Sequence, residues 1–212
     1  MSTFSKSTAR EYFESILVAV ILALFIRTWV VQAFKIPTGS MENNLLVGDH
    51  LLVNKLAFAP TMTSLERQIL PIRDIRRGDI TVFKYPEEPE RDFIKRVIGL
   101  PGETVELRHK KVYINGAPLD ESYVRFEQPP SGTPAFDDPK ETYGPRTVPA
   151  GYYFMMGDNR DNSADSRYWG FLPASYVKGK ALMIYWSFDP EATGVASVVT
   201  STRWSRLLHQ IK

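Results

Sequence analysis

The chain has 212 residues, 43% of them hydrophobic, and its 26 lysines and arginines against 24 aspartates and glutamates leave a formal charge of +2. That length allows one sizeable domain with a small elaboration, and so even a charge balance leaves no footprint for nucleic acid. The absence of cysteine excludes disulfides, thiol nucleophiles and cysteine-ligated zinc, and His50, His109 and His209 have no second histidine or carboxylate at ligand spacing, so no metal site is expected.

Residues 1–14 are polar, and Ser15 to Phe34 is then dominated by Ile, Leu, Val, Ala, Phe and Trp. As a helix this stretch would be about 30 Å long, the thickness of a bilayer's hydrocarbon core. Arg27 divides a clean apolar run, Ile16 to Ile26, from a weaker one with Thr28 and Gln32. The alternative is a cleavable signal peptide, with Val31 and Ala33 at its cleavage site. Glu11 and Glu14 cancel Lys6 and Arg10 where such a peptide carries net positive charge, and Arg27 can snorkel beside Trp29, so a single anchor over 15–34 is expected. Lys6 and Arg10 favour a cytoplasmic start, nearly balanced by Arg27 and Lys35 at the other end.

Phe34 to Asp49, FKIPTGSMENNLLVGD, offers a serine in shaped backbone. Pro37 fixes one φ, Gly39 removes a side chain where another backbone can approach, and the Thr38 hydroxyl stands two residues before Ser40. Most serines are turn or surface residues, so Ser40 gains weight only from two later stretches. From Phe34, six extended residues place it within about 20 Å of the anchor's end.

Short strand-like runs follow at His50–Phe58, Asp79–Tyr85, Phe93–Ile98, Thr104–Leu107 and Lys111–Ile114, with Asn115-Gly116 as a hairpin signal. Arg73, Arg76 and Arg77 interleave with Asp74 and Asp79 and read as a solvated loop. Within Arg91–Glu103, RDFIKRVIGLPGE, a strand places Phe93, Lys95 and Val97 on one face and Ile94, Arg96 and Ile98 on the other. A lysine among apolar neighbours is driven towards its neutral form and can serve as a base; the bland alternative is an edge lysine reaching water. A serine nucleophile needs a base, and the histidines lie outside the informative stretches.

Tyr123 to Pro149 is rich in Pro, Gly and Asp and reads as an excursion, before strands resume at Tyr152–Met156 and Lys180–Ser187. Between those two, Gly157 to Gly170, GDNRDNSADSRYWG, lacks the glycine and glutamate that an EF-hand calcium loop requires. It is either a plain surface loop or a polar network in which Asp165, Arg167 and Arg96 hold Lys95 through its neighbour. Ser175 to Lys178 fits an S-x-x-K pattern without its S-D-N or K-T-G partners. In the tail, Trp204, Leu207, Leu208 and Ile211 suggest one face of a short helix that packs on the core or touches lipid headgroups.

Taken together, PTGSM, RDFIKRVIGLPGE and GDNRDNSADSRYWG resemble the nucleophile, lysine and longest boxes of bacterial type I signal peptidases, membrane-bound serine proteases of preprotein export. HLLVNKLAF and RGDITVFKYP are similar to the intervening strands. The resemblance implies a mostly β catalytic core over 35–103 and 150–188, a smaller β elaboration over 104–149, and a tail over 189–212. By motif, Ser40 is similar to the nucleophile, Lys95 to the general base, Thr38 to the hydroxyl that joins the Ser40 N–H in the oxyanion hole, and Ser163 to a serine that orients the lysine. Asp158, Asp165, Arg167 and Arg96 match supporting polar residues. Phe34, Ile36, Met41, Leu45, Phe93 and Ile94 correspond to pocket-lining positions. The chain departs from the pattern at Asn43-Asn44, where many members have Pro-Thr, and in having one expected anchor where some have two.

The expected function is a Ser-Lys endopeptidase, with no metal or organic cofactor, that cuts signal peptides after small residues one and three positions before the scissile bond. It would be single-pass in the bacterial plasma membrane, its catalytic domain on the extracytoplasmic side, close to the export machinery, with the bilayer and signal peptides as partners and no nucleic acid. A tethered β module that binds peptides without cutting, and a secreted β protein freed of its first 33 residues, are the rival classes. A self-cleaving Ser-Lys repressor is disfavoured by the apolar anchor and the missing DNA-reading helix pair.

Overall fold

A computed structural model describes residues 8–59, 72–127, 138–192 and 200–211; Lys6, Lys212 and positions 128–137 of the excursion lie outside the described residues. Helix α1 (Thr8–Phe25) is apolar over most of its length, opens with an Arg10–Glu14 pair at 2.8 Å, and buries none of its residues. A π turn (Ile26–Val30) extends it, and together the 23 residues are long and apolar enough to cross a membrane. The helix therefore starts before Ser15 and stops at Val30, short of the expected Phe34. Val31–Lys35 instead forms strand β1, paired residue for residue with Asn54–His50, because a ladder satisfies the backbone that hydropathy alone assigned to a helix. Lys55 Nζ donates to Thr28 O at the end of the helix. Ser40 now follows the anchor by ten residues, a reach of up to about 35 Å.

The remaining strands are β2 (Asp49–Asn54), β3 (Ile80–Lys84), β4 (Asp92–Gly99), β5 (Thr104–Arg108), β6 (Lys111–Ile114), β7 (Ala117–Pro118), β8 (Tyr143–Thr147), β9 (Tyr152–Met156), β10 (Leu172–Pro173), β11 (Val177–Ser187) and β12 (His209–Gln210). An antiparallel core sheet runs β1-β2-β11-β3-β4-β9-β10, with β12 on β11, and a small sheet runs β7-β6-β5-β8. The architecture is mostly β with one N-terminal apolar helix. Register shifts bend β11 where it passes from β3 to β2, and Gly179 sits there because a Cβ would lie 2.3 Å from Asn54 O.

Three apolar clusters hold the sheets. Leu51, Val53, Ile80, Val82 and Ile184 pack under the nucleophile turn; Val105, Leu107, Val112 and Phe154 join the small sheet to the core; Phe83, Val97, Met155 and Leu172 fill the far end. The Asn115-Gly116 turn forms with both residues at positive φ, as its sequence announces. A second such turn, His109-Lys110, carries no glycine, and β8 lies inside the stretch read as excursion.

The tail departs from expectation. Residues Trp204–Arg206 make one 3-10 turn, and His209–Gln210 then adds to β11 opposite Ile184 and Met183. Ile211 enters the core while Leu208, at φ 57°, is exposed, so the apolar positions never share a helical face. An open strand edge on β11 offers more hydrogen bonds than a single amphipathic turn. The arginine cluster also differs: Arg73 makes a fork with Asp79 at 2.6 and 2.8 Å, and Arg77 reaches Ile98 O and Glu103, so two of these three arginines tie the loop to the sheet.

Candidate active site

Ser40 occupies a single 3-10 turn, Gly39–Met41, reached from extended Thr38. Glu42 N donates to Gly39 O at 3.0 Å and Leu45 N to Met41 O at 2.9 Å, and Met41 and Leu45 anchor the turn in the core. The first amides of so short a turn have no acceptor within it.

Lys95 comes from the middle of β4, opposite Thr81 on β3. The side chain is buried, and its Nζ lies 2.7 Å from Ser40 Oγ and 3.1 Å from Ile94 O, both neutral oxygens. The Phe93 ring centroid is 5.2 Å away. Burial pushes the Lys95 ammonium down to about 8; Asp165 and Asp158 pull it back up, and Arg167 adds to the lowering. A lysine of this kind is partly neutral at mildly alkaline pH and can accept the serine proton.

The loop from Gly157 to Gly170 is the polar network rather than a plain surface loop. Asp158 accepts from Arg96 Nε at 2.8 Å and Arg96 NH2 at 2.7 Å. Asp165 caps the short helix α2 (Ser166–Trp169), takes the Gly157 N–H, and grips Arg167 by a two-pronged contact at 2.8 Å. Burial alone would raise the Asp165 carboxyl, yet Arg167 and the Gly157 amide hold it below the usual range. Each arginine is thus forked onto one carboxylate, Arg96 on Asp158 and Arg167 on Asp165.

Among the expected site residues, the structure brings Ser40, Lys95, Arg96, Asp158, Asp165, Arg167 and Ser163 together. Ser163 packs against Gly157, whose added Cβ would lie 2.3 Å from its Oγ, and that Oγ has no hydrogen-bond partner among the described residues. Thr38 is exposed beside the turn. Ile36, Met41 and Leu45 are core residues with almost no surface, whereas Phe34 and Ile94 are half-buried against the same cluster, and Phe93 stacks on Tyr85 at 4.2 Å.

Several functional contacts had no sequence signal. Asn159 donates from its backbone to Ser40 O at 3.1 Å and from Nδ2 to Gly39 O at 3.2 Å, pinning the nucleophile turn. Gly157 is the true site of close backbone approach, because a Cβ there would meet Ser40 O at 2.5 Å; at Gly39 the nearest atom is a Glu42 side-chain oxygen at 3.2 Å. The small sheet's first turn and the segment after Pro118 also grip the loop: Lys110 Nζ meets Asp161 at 2.8 Å, Glu121 pairs with Arg160, and Arg125 bridges Asn159. Only pairing across sheets reveals these.

The family described as "Signal peptidase, peptidase S26" matches residues 9–186. Signal peptidase I of Pseudomonas aeruginosa is 38% identical, covering 87% of this chain and 75% of that protein. Signal peptidase I of Leptolyngbya laminosa is 39% identical over 85% of this chain and 81% of its own. A solved signal peptidase I from Enterococcus faecalis is 37% identical over 51% of this chain and 97% of that one, with a TM-score of 0.42.

Proposed function

This chain belongs to the peptidase S26 family of signal peptidases, serine endopeptidases, and from that premise we propose that it cleaves signal peptides with a Ser40–Lys95 dyad. The observation that carries the dyad is the 2.7 Å contact between two buried side chains, one a hydroxyl and the other a lysine that pairs with no carboxylate among the described residues.

Neutral Lys95 accepts the Ser40 proton as Oγ bonds to the substrate carbonyl carbon. The Ser40 N–H and the Thr38 hydroxyl receive the oxyanion. The Lys95 ammonium then passes its proton to the leaving amine, the acyl-enzyme forms, and neutral Lys95 draws a proton from water for deacylation. Ser163, buried beside Gly157 in the same loop, would steady that ammonium. The substrate enters extended beside Phe34 and Ile94, its small side chains at the first and third positions before the cut fitting against a surface that the buried core leaves shallow.

Helix α1 with its π turn anchors the chain in the bacterial plasma membrane, single-pass, with the sheets on the extracytoplasmic side near the export machinery. The apolar, wholly unburied helix surface supports the anchor.

Cleavage of a preprotein with an Ala-x-Ala site, in detergent, tests this reading, with the new N-terminus read by mass spectrometry. Wild type cuts after the second Ala, folded Ser40→Ala and Lys95→Ala do not, and the rate of wild type rises with pH through about 8, where Lys95 loses its proton. A rate that is flat from pH 6 to 9.5, or a folded Lys95→Ala that still cuts, removes the lysine from the mechanism.

A further inference from the structure

Asn43 and Asn44 end the turn that carries Ser40, three and four residues further on. Asn44 Nδ2 donates to Asp158 Oδ2 at 2.6 Å and approaches Tyr123 O at 3.2 Å, and Asn43 Nδ2 donates to the same carbonyl at 3.0 Å. Asp158 is fully buried and forked by Arg96, whose guanidinium carbon lies 3.9 Å from the Tyr123 ring centroid and whose NH1 donates to Gly78 O. One carboxylate is thus held from one side by the nucleophile's turn and from the other by the base's chain neighbour. Tyr123, from beyond the small sheet, closes over both.

We infer that Asn44 is a positioning residue for proteolysis, fixing the Asp158–Arg96 pair to the Ser40 turn and thereby setting how Ser40 meets Lys95. The inference rests on the Ser40–Lys95 dyad proposed above. Two effects follow from the geometry. Without the amide, the turn loses its link through Asp158 and Arg96 to the strand that carries the base, and Ser40 is less well aimed. The amide's positive end also offsets the Asp158 charge, so removing it strengthens the field that favours the ammonium of Lys95.

The other charges around Lys95 are already committed. Asp165 favours the ammonium and Arg167 opposes it, both from the loop and α2; Arg96, on β4 itself, is taken up by Asp158; β3 presents uncharged Thr81; and Glu42 on the turn pairs with Arg125 at 3.3 Å. The charges that shift Lys95 are those of Asp165, Asp158 and Arg167.

The test is the pH dependence of kcat and kcat/KM for the full chain in detergent, with an Ala-x-Ala preprotein, for wild type, Asn44→Leu, Asn44→Asp and Asn44→Thr. In the leucine variant the rising limb moves up by roughly half to one pH unit and kcat at pH 7.5 falls about three- to tenfold with KM little changed. Threonine, which keeps a donor, restores the limb; aspartate, of the same shape but negative, moves it further than leucine and carries the test if leucine does not fold. A folded leucine or aspartate variant with the wild-type limb and kcat overturns the inference whatever its melting temperature, and so does a change confined to KM. Absence of any limb in wild type overturns the dyad instead, so the two failures are distinct.

Discussion

The core sheet buries Lys95 at 3% exposure and the seam between the two sheets buries Lys110 at 5%, but the two regions use a buried lysine in opposite ways. Lys110 stands at the end of a tight turn with Asp161 at 2.8 Å and Glu141 at 3.7 Å, and it joins the small sheet to the active-site loop. Among the described residues, Lys95 Nζ hydrogen-bonds to Ser40 Oγ and the Ile94 carbonyl, while Asp158 and Asp165 are paired with Arg96 and Arg167. Depth of burial therefore does not decide what a lysine does. What decides is whether arginines have taken the neighbouring carboxylates first, leaving desolvation to favour the neutral amine.

The sharpest way to break this contrast is to replace each lysine with methionine. Lys95→Met should lower kcat by about a thousandfold or more, read in the preprotein assay. If Lys110→Met, folded, costs as much turnover, the seam is catalytic and the distinction fails. Next in size, Thr38→Val should slow turnover about a hundredfold while Thr38→Ser stays near wild type, since only the hydroxyl is asked to meet the oxyanion. Equal rates for valine and serine would dismiss Thr38 from that role.

Stability should divide the two lysines with opposite signs. Lys110→Met leaves Asp161 and Glu141 without their ammonium in a buried seam and should cost about 3 kcal/mol in denaturant unfolding at pH 7. Lys95→Met should stabilise by about 2 kcal/mol at pH 6. Folded Lys95 titrates at about 8 against an ordinary 10.5, so below pH 8 the fold bears the cost of an enclosed ammonium. Between those values the unfolded chain holds the extra proton, stability rises with pH, and the advantage of methionine disappears by about pH 10.5. A methionine variant no more stable than wild type at pH 6 would show that Lys95 is better compensated than its neighbours suggest.

Much of this was legible along the chain. The strand runs, the Asn115-Gly116 hairpin and the apolar helix announce themselves by local pattern, whereas the three boxes holding Ser40, Lys95 and the Asp/Arg loop stand out only together, by their resemblance to a family. The errors fall where local pattern competes with pairing. Val31–Phe34 reads as membrane helix until β2 is found beside it. Tyr143–Thr147 reads as excursion because Gly144 and Pro145 are turn residues, and it becomes a strand because β5 offers an edge. Trp204 to Ile211 reads as a helix face until β11 claims His209 and Gln210.

By itself the sequence determined which chemistry is available. With no cysteine and no placed histidine, Lys95 was left as the best candidate base for a serine, side-chain alternation along one strand put it among apolar neighbours, and the resemblance of the motifs pointed to Ser40 as its partner. Only the tertiary structure decided that the pair meets at 2.7 Å, that Asn159 and Gly157 press on the nucleophile turn, and that Asn44 shares Asp158 with Arg96. Those contacts join residues up to 120 positions apart. Their partners are set by sheet order and register, which no single stretch of sequence contains.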